Sequence, residues 1–253
     1  MRKWDTALIT GASSGIGMEF ARQLSGICNN LIIISRNNKK LEQLKIELEK
    51  KNKINVWVID CDLTKAESIL RIKNVISENN IIPDLFINCA GIGVFGKFIE
   101  TDTSRELELM NLNIVNSTML MKEIVIMMNR NNRGTILNVS STIAFRKSPG
   151  WAVYSASKKF ILSLSKTLSL EMKNSTIKIA VLCPGKTDTE FDLNSGNLEN
   201  KSKKMPVSGL VTYTLRKLEK GKKIIIPGFK NKLKYYVFRF VPEFITDLII
   251  QKL

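Results

Sequence analysis

The sequence predicts an α/β fold: a doubly wound, parallel seven-stranded sheet with helices on both faces, forming a single domain over residues 1–253. Three observations carry this. Short apolar runs near 6–10, 31–35, 55–60, 84–88, 134–140, 178–182 and 223–227 alternate with helix-patterned segments. The runs are continuously apolar rather than alternating, as expected of parallel strands buried on both faces and joined by right-handed crossovers. The first run passes straight into a helix through a glycine-rich turn. A chain of 253 residues can bury one large core, and no repeat, low-complexity segment or internal linker divides it.

Taken in order, Ala7, Leu8 and Ile9 form the first strand, and a helix running through Phe20 and Leu24 follows the turn. Between them Gly11, Gly15 and Gly17 stand in a G-x-x-x-G-x-G spacing, with Ser13, Ser14 and Ile16 filling the turn. Glycines there permit tight backbone and close approach of a pyrophosphate, and the helix mouth presents free N–H groups to it. The second strand, Leu31 to Ile34, ends in Ser35 and Arg36. An acid at this position would bind the ribose hydroxyls of NAD, whereas a cation suits the 2′-phosphate of NADP. NADP(H) is therefore expected in preference to NAD(H). The next helix, 37–51, turns Leu41, Leu44 and Leu48 inward and Glu42, Lys45, Glu49 and Lys50 outward.

The chemistry is carried further along the chain. Tyr154 and Lys158 are four residues apart on a predicted helix, so they share a face. A free tyrosine, with a pKa near ~10, is a poor proton shuttle at neutral pH, and a neighbouring ammonium favours its phenolate. Tyr154 is accordingly expected to be the general acid/base and Lys158 its tuner. Ser141, upstream at the end of an apolar run, would donate a hydrogen bond to a substrate oxygen as hydride arrives.

These parts, in this order, resemble the short-chain dehydrogenase/reductase superfamily over most of the chain. The family's glycine motif matches Thr10 through Gly17, and its catalytic tetrad matches Asn113, Ser141, Tyr154 and Lys158. The resemblance implies a Rossmann-like fold and an oxidoreductase. It also implies that Asp62, with Leu63 behind it, contacts the adenine, and that Asn88, Ala90 and Gly91 support the sheet and cofactor. Cys89 stands where the family usually has a second asparagine. Asn113 is implied to hold a helix distortion and a water that relays protons to Lys158. Pro184, Gly185, Thr187 and Thr189 are implied to contact the nicotinamide carboxamide, in an orientation that exposes the pro-S hydride.

Composition excludes other classes. The chain has no histidine, which removes Ser-His-Asp hydrolysis and a His-ligated metal site; no metal is expected. Cys28, Cys61, Cys89 and Cys183 lack paired spacing and read as reduced, mostly buried thiols of a cytoplasmic protein. No run is long enough to span a bilayer, and the opening residues pass directly into the first strand without a signal peptide. The net charge of +16 is spread over most helices, which argues against a specific nucleic-acid role and leaves attraction for phosphorylated cofactors or acyl carriers.

Residues 190–207 fall where the family keeps a substrate lid. Gly93, Val94, Phe95, Ile143, Ala144, Phe145 and Trp151 are expected to supply apolar walls for a ketone or secondary alcohol on a steroid, bile-acid or acyl body. The segment 229–253 is a basic, aromatic tail that Pro242 should split into two helices. It resembles the subgroup named after a bacterial D-alanine-transfer-operon dehydrogenase (DltE-like). It is expected either to meet a membrane surface or to pack over the cleft or against a second subunit, the protein being a homo-oligomer, dimer or tetramer. Against enzyme function stands a nicotinamide-binding sensor, which would not need Ser141, Tyr154 and Lys158. Sugar-nucleotide epimerases share Tyr-x-x-x-Lys but need a larger substrate domain.

Overall fold

The computed structural model describes residues 4–197, 203–241 and 245. The strands are β1 (Thr6–Thr10), β2 (Asn30–Ser35), β3 (Asn55–Asp60), β4 (Leu85–Asn88), β5 (Gly134–Val139), β6 (Ile177–Leu182) and β7 (Ile224–Ile225). All pair in parallel, in the order β3-β2-β1-β4-β5-β6-β7. The helices are α1 (Gly15–Leu24), α2 (Asn38–Lys51), α3 (Glu67–Glu78), α4 (Thr103–Met110), α5 (Ser117–Arg130), α6 (Ala152–Glu171), α7 (Phe191–Asn194), α8 (Val207–Glu219) and α9 (Phe229–Phe240). This is the Rossmann-like single-domain α/β architecture.

Strand periodicity sorts the core into two layers. Ala7, Ile9, Leu31 and Ile33 pack with Phe20, Leu24, Leu41, Leu48 and Leu210 on one face. Their neighbours Leu8, Ile32 and Ile34 turn to the other face, against Ile72, Phe86, Leu120 and Ile124. Each fully buried large side chain contributes roughly 2–3 kcal/mol. Asp84 anchors the N-terminal end of the sheet. Its carboxylate accepts from the backbone N–H of Asp5 and Thr6 at 3.0 Å and pairs with Arg133 at 2.6 Å. The order of strands reverses between β1 and β4, so a crevice opens at their carboxyl ends, where ligands of such sheets bind.

One expectation needs adjustment. The seventh strand is only Ile224–Ile225, not 223–227, because Pro227 has no N–H to continue the ladder and Gly228, at φ 86°, turns the chain into α9. The first tail helix ends at Phe240, with Val241 extended ahead of proline, as expected. Pro242 and the second tail helix lie outside the described residues. No helix among the described residues is long and apolar enough to cross a membrane.

Candidate active site

One cleft of about 1500 Å³ runs across the carboxyl ends of the strands. Its first end is built mostly of backbone. Gly11 has φ 70°, and an added Cβ there would meet the Ala90 Cα at 3.0 Å. Thr10 Oγ1 accepts from the N–H groups of Cys89 and Ala90 at 2.9 and 3.0 Å, which locks the β1 and β4 turns together. Ser14 starts α1 in an extended conformation without capping it by its side chain, so the helix-mouth amides are left to an outside acceptor. This cradle fits a pyrophosphate. Gly11, Ser13, Ser14, Gly15, Ile16, Gly17, Ser35, Arg36, Asp62, Leu63, Ala90, Gly91, Pro184, Gly185, Thr187 and Thr189 all line the cleft. Arg36 stands there with Lys40, beyond the glycines.

Asn88 is a correction: it does not line the cleft. As the last residue of β4 it points into the protein, where its Nδ2 donates to Ser117 Oγ at 2.9 Å and Asn138 Oδ1 at 3.0 Å. It supports the sheet rather than touching a ligand. Cys89 does stand on the wall, and burial pushes its thiol up to about 12, so it is not a reactive thiolate.

The second part of the cleft presents Ser141, Tyr154 and Lys158, with Asn113 buried behind Gly91 rather than on the wall. Between α4 and α5 the chain forms a π-helical turn, Asn111–Asn116, the distortion implied for this region. It turns Asn113 inward. Its Oδ1 accepts from Ile92 N–H at 3.0 Å, while its Nδ2 donates to Ile92 O at 2.9 Å and Ser157 Oγ at 3.2 Å. Ser140 Oγ donates to Lys158 O at 2.7 Å, tying α6 to the end of β5. Lys158 Nζ donates to Val139 O at 3.1 Å and lies 5.7 Å from the centre of the Tyr154 ring. Asn113 and Lys158 converge on Gly91, where an added Cβ would lie 3.1 Å from Asn113 Oδ1 and from Lys158 Nζ. Ser141 caps a 3₁₀ turn, Thr142–Phe145, and hydrogen-bonds the Tyr154 phenol.

The electrostatics correct one expectation. Burial raises the Tyr154 pKa well above the tyrosine range, and the Ser141 hydrogen bond only partly opposes this. Burial lowers Lys158 to about 8. The expected lowering of Tyr154 by Lys158 does not emerge: desolvation dominates, only the Ser141 hydrogen bond opposes it, and burial also disfavours the ammonium's own charged form. Chemically, Tyr154 is held as a proton donor at neutral pH, the state that reduction of a carbonyl requires.

The far end of the cleft is aromatic. The Trp151 ring centre lies 5.2 Å from that of Tyr154, 5.1 Å from Phe95 and 6.2 Å from Phe191, and Phe191 lies 5.2 Å from Tyr154. Of the expected walls, Gly93, Ile143 and Trp151 line the cleft, while Val94, Phe95, Ala144 and Phe145 stand behind or beside it; Phe145 packs on Tyr235 at 4.8 Å. Phe191, within the expected lid, Asn231, Lys234 and Phe238, within the tail, and Lys186 also line the cleft, though none was singled out as such in the sequence.

Comparison with known proteins agrees with this geometry. The short chain dehydrogenase family matches residues 5–199. A 3-oxoacyl-[acyl-carrier-protein] reductase of Rickettsia bellii is 31% identical over 79% of this chain and 81% of its own length. A 17-beta-hydroxysteroid dehydrogenase type 3 of Mus musculus is 30% identical over 80% of this chain and 66% of its own. The solved structure of a short-chain dehydrogenase from Sphingobium yanoikuyae in complex with NADPH matches with a TM-score of 0.84 at 28% identity, covering 89% of this chain and 88% of that one. The chain belongs to the short-chain dehydrogenase family and is a nicotinamide-dependent oxidoreductase acting between CH–OH and C=O groups.

Proposed function

We propose that this protein is an NADP(H)-dependent carbonyl reductase or alcohol dehydrogenase acting on a ketone or secondary alcohol on a hydrophobic body, of steroid, bile-acid or acyl type. The observation that carries this is one cleft with Arg36 beyond its glycine turn and a protonated, serine-bonded Tyr154 among aromatic rings at its other end. The bound nicotinamide supplies or accepts the hydride. Ser141 orients the substrate oxygen, Tyr154 delivers its proton there as negative charge grows, and Lys158, resupplied through a water held by Asn113, returns a proton to Tyr154. Trp151 and Phe191 exclude water and favour an apolar substrate.

We assign residues 190–207 as the substrate lid and 229–253 as a basic, aromatic tail whose first helix, α9, lines the cleft through Asn231, Lys234 and Phe238. The tail's exposed Phe229, Leu233 and Phe240, beside Lys232 and Arg239, support contact with a membrane surface, and its likeness to the D-alanine-transfer-operon subgroup rests on this segment. Exposed Leu107, Met119, Ile126 and Phe160 on α4, α5 and α6 support a homo-oligomer. The cofactor reading is tested by oxidation of NADPH and NADH against ketosteroids, oxo bile acids, 3-oxoacyl thioesters and diketones. Arg36→Asp should raise the KM for NADPH by about 10–100-fold, since a charge-assisted contact contributes roughly 1.5–3 kcal/mol, and should change the KM for NADH little. Equal losses with both cofactors would show that Arg36 does not face the 2′-phosphate.

A further inference from the structure

The substrate end of the cleft holds a group of like charges that the reduction itself does not use. Lys186 and Lys204 are brought together by backbone. Met205 N–H donates to Lys186 O at 2.9 Å, and Asp188 N–H donates to Met205 O at 2.9 Å, within an isolated parallel bridge between Thr187 and Met205. Arg146 leaves the end of the 3₁₀ turn that Ser141 begins, and Lys234 comes from α9, which docks on that turn through Tyr235 and Phe145. All four cations line the one cleft, with Asp192 beside them, 3.0 Å from Lys204. Burial lowers the Lys186 pKa; Asp192 opposes this, and Arg146, Lys234 and Lys204 reinforce it. Holding several cations around one carboxylate costs free energy in the free protein, and a bound anion would relieve it.

The position of this group relative to the reacting phenol defines a substrate shape. Asp192 directly follows Phe191, whose ring touches that of Tyr154, and its charge is felt by both Tyr154 and Lys186. Asp192 thus stands beside the cations and close to the reacting phenol. We propose that Arg146, Lys186, Lys204 and Lys234 form an anion-binding subsite, and that the substrate is a carbonyl compound whose hydrophobic body ends in a carboxylate or phosphate. The proposal rests on the reductase reading for the reacting end alone; the subsite itself is read by binding.

The test uses a medium-chain methyl-ketone fatty acid, its methyl ester, and the phosphate monoester of the matching keto alcohol. Binding to the NADP⁺-loaded full chain is measured by calorimetry, alongside NADPH oxidation. The acid or the phosphate should bind at least about 10-fold more tightly than the ester, as expected of a charge-assisted contact. Whichever of the two binds more tightly identifies the source of the anion. In the triple variant Lys186→Gln, Lys204→Gln, Lys234→Gln the anion-to-ester ratio should fall toward one. Asp192→Asn should raise it, a change of opposite sign that a folding defect would not produce. Equal binding of ester and anions by the unaltered protein, or a ratio that neither variant moves, overturns the subsite. Anion preference without turnover of any probe would support the subsite while counting against the reductase reading.

Discussion

At the cofactor end of the cleft recognition falls to the backbone, and at the substrate end to side chains drawn from distant segments. Gly11, Gly15 and Gly17 keep the first end bare within a single strand-turn-helix, stiffened by Thr10 bridging two turns. The second end takes Trp151 from just before α6, Tyr154 from α6, Phe191 and Asp192 from α7, and Lys234 from α9. A common ligand can be held by one short, locally encoded element. Selecting a substrate is left to parts that vary independently.

The largest effect is expected where that backbone is tightest. An added Cβ at Gly17 would run into the carbonyl of Gly11, and both neighbours are fixed by the sheet. Gly17→Val should therefore lose NADPH binding by at least ~100-fold in a fluorescence titration, as strain at such a site commonly exceeds ~3 kcal/mol. Normal binding would break the claim that bare backbone forms the cofactor end.

Next in size is the linkage between Lys158 protonation and folding. Lys158 drops from the ordinary 10.5 to about 8 on burial. Between those values the unfolded chain holds more protons than the folded one, so stability without cofactor should rise with pH from 8 toward 10, by roughly 3 kcal/mol for this group alone. Above about 10 the raised Tyr154 pKa acts in the opposite sense. Lys158→Met should remove the rise and should be no less stable at pH 7, as read by urea unfolding across pH. An unchanged slope would mean that Lys158 is solvated. Smaller still, Gly91→Ala should press on both Asn113 and Lys158 and lower kcat about 10-fold with little change in KM, since positioning errors near a reacting group have costs of this order or more. A change confined to KM would place Gly91 in substrate binding instead.

The same contrast explains what could be read from the chain. Strands and the glycine turn are local patterns: continuous apolar runs and fixed spacings between Gly11, Gly15 and Gly17. Tyr154, Lys158 and Ser141 were legible because one helix and one strand end bring them together. The direction of the Asn88 side chain was not, because it depends on Asn138 and Ser117 across the sheet. Nor was the rise of the Tyr154 pKa, since spacing reveals the neighbouring lysine but not the burial that dominates the shift. The cationic group was hidden in a uniformly basic composition. It exists only because the Thr187–Met205 bridge and the return of α9 assemble it.

The central claim is that Tyr154 moves the proton while the rest of the cleft binds. Its most direct test is Tyr154→Phe, with NADPH affinity and ketone reduction measured on the same preparation. Turnover should fall by about 10²–10⁴-fold with NADPH affinity retained. A variant that keeps most of its activity would contradict it.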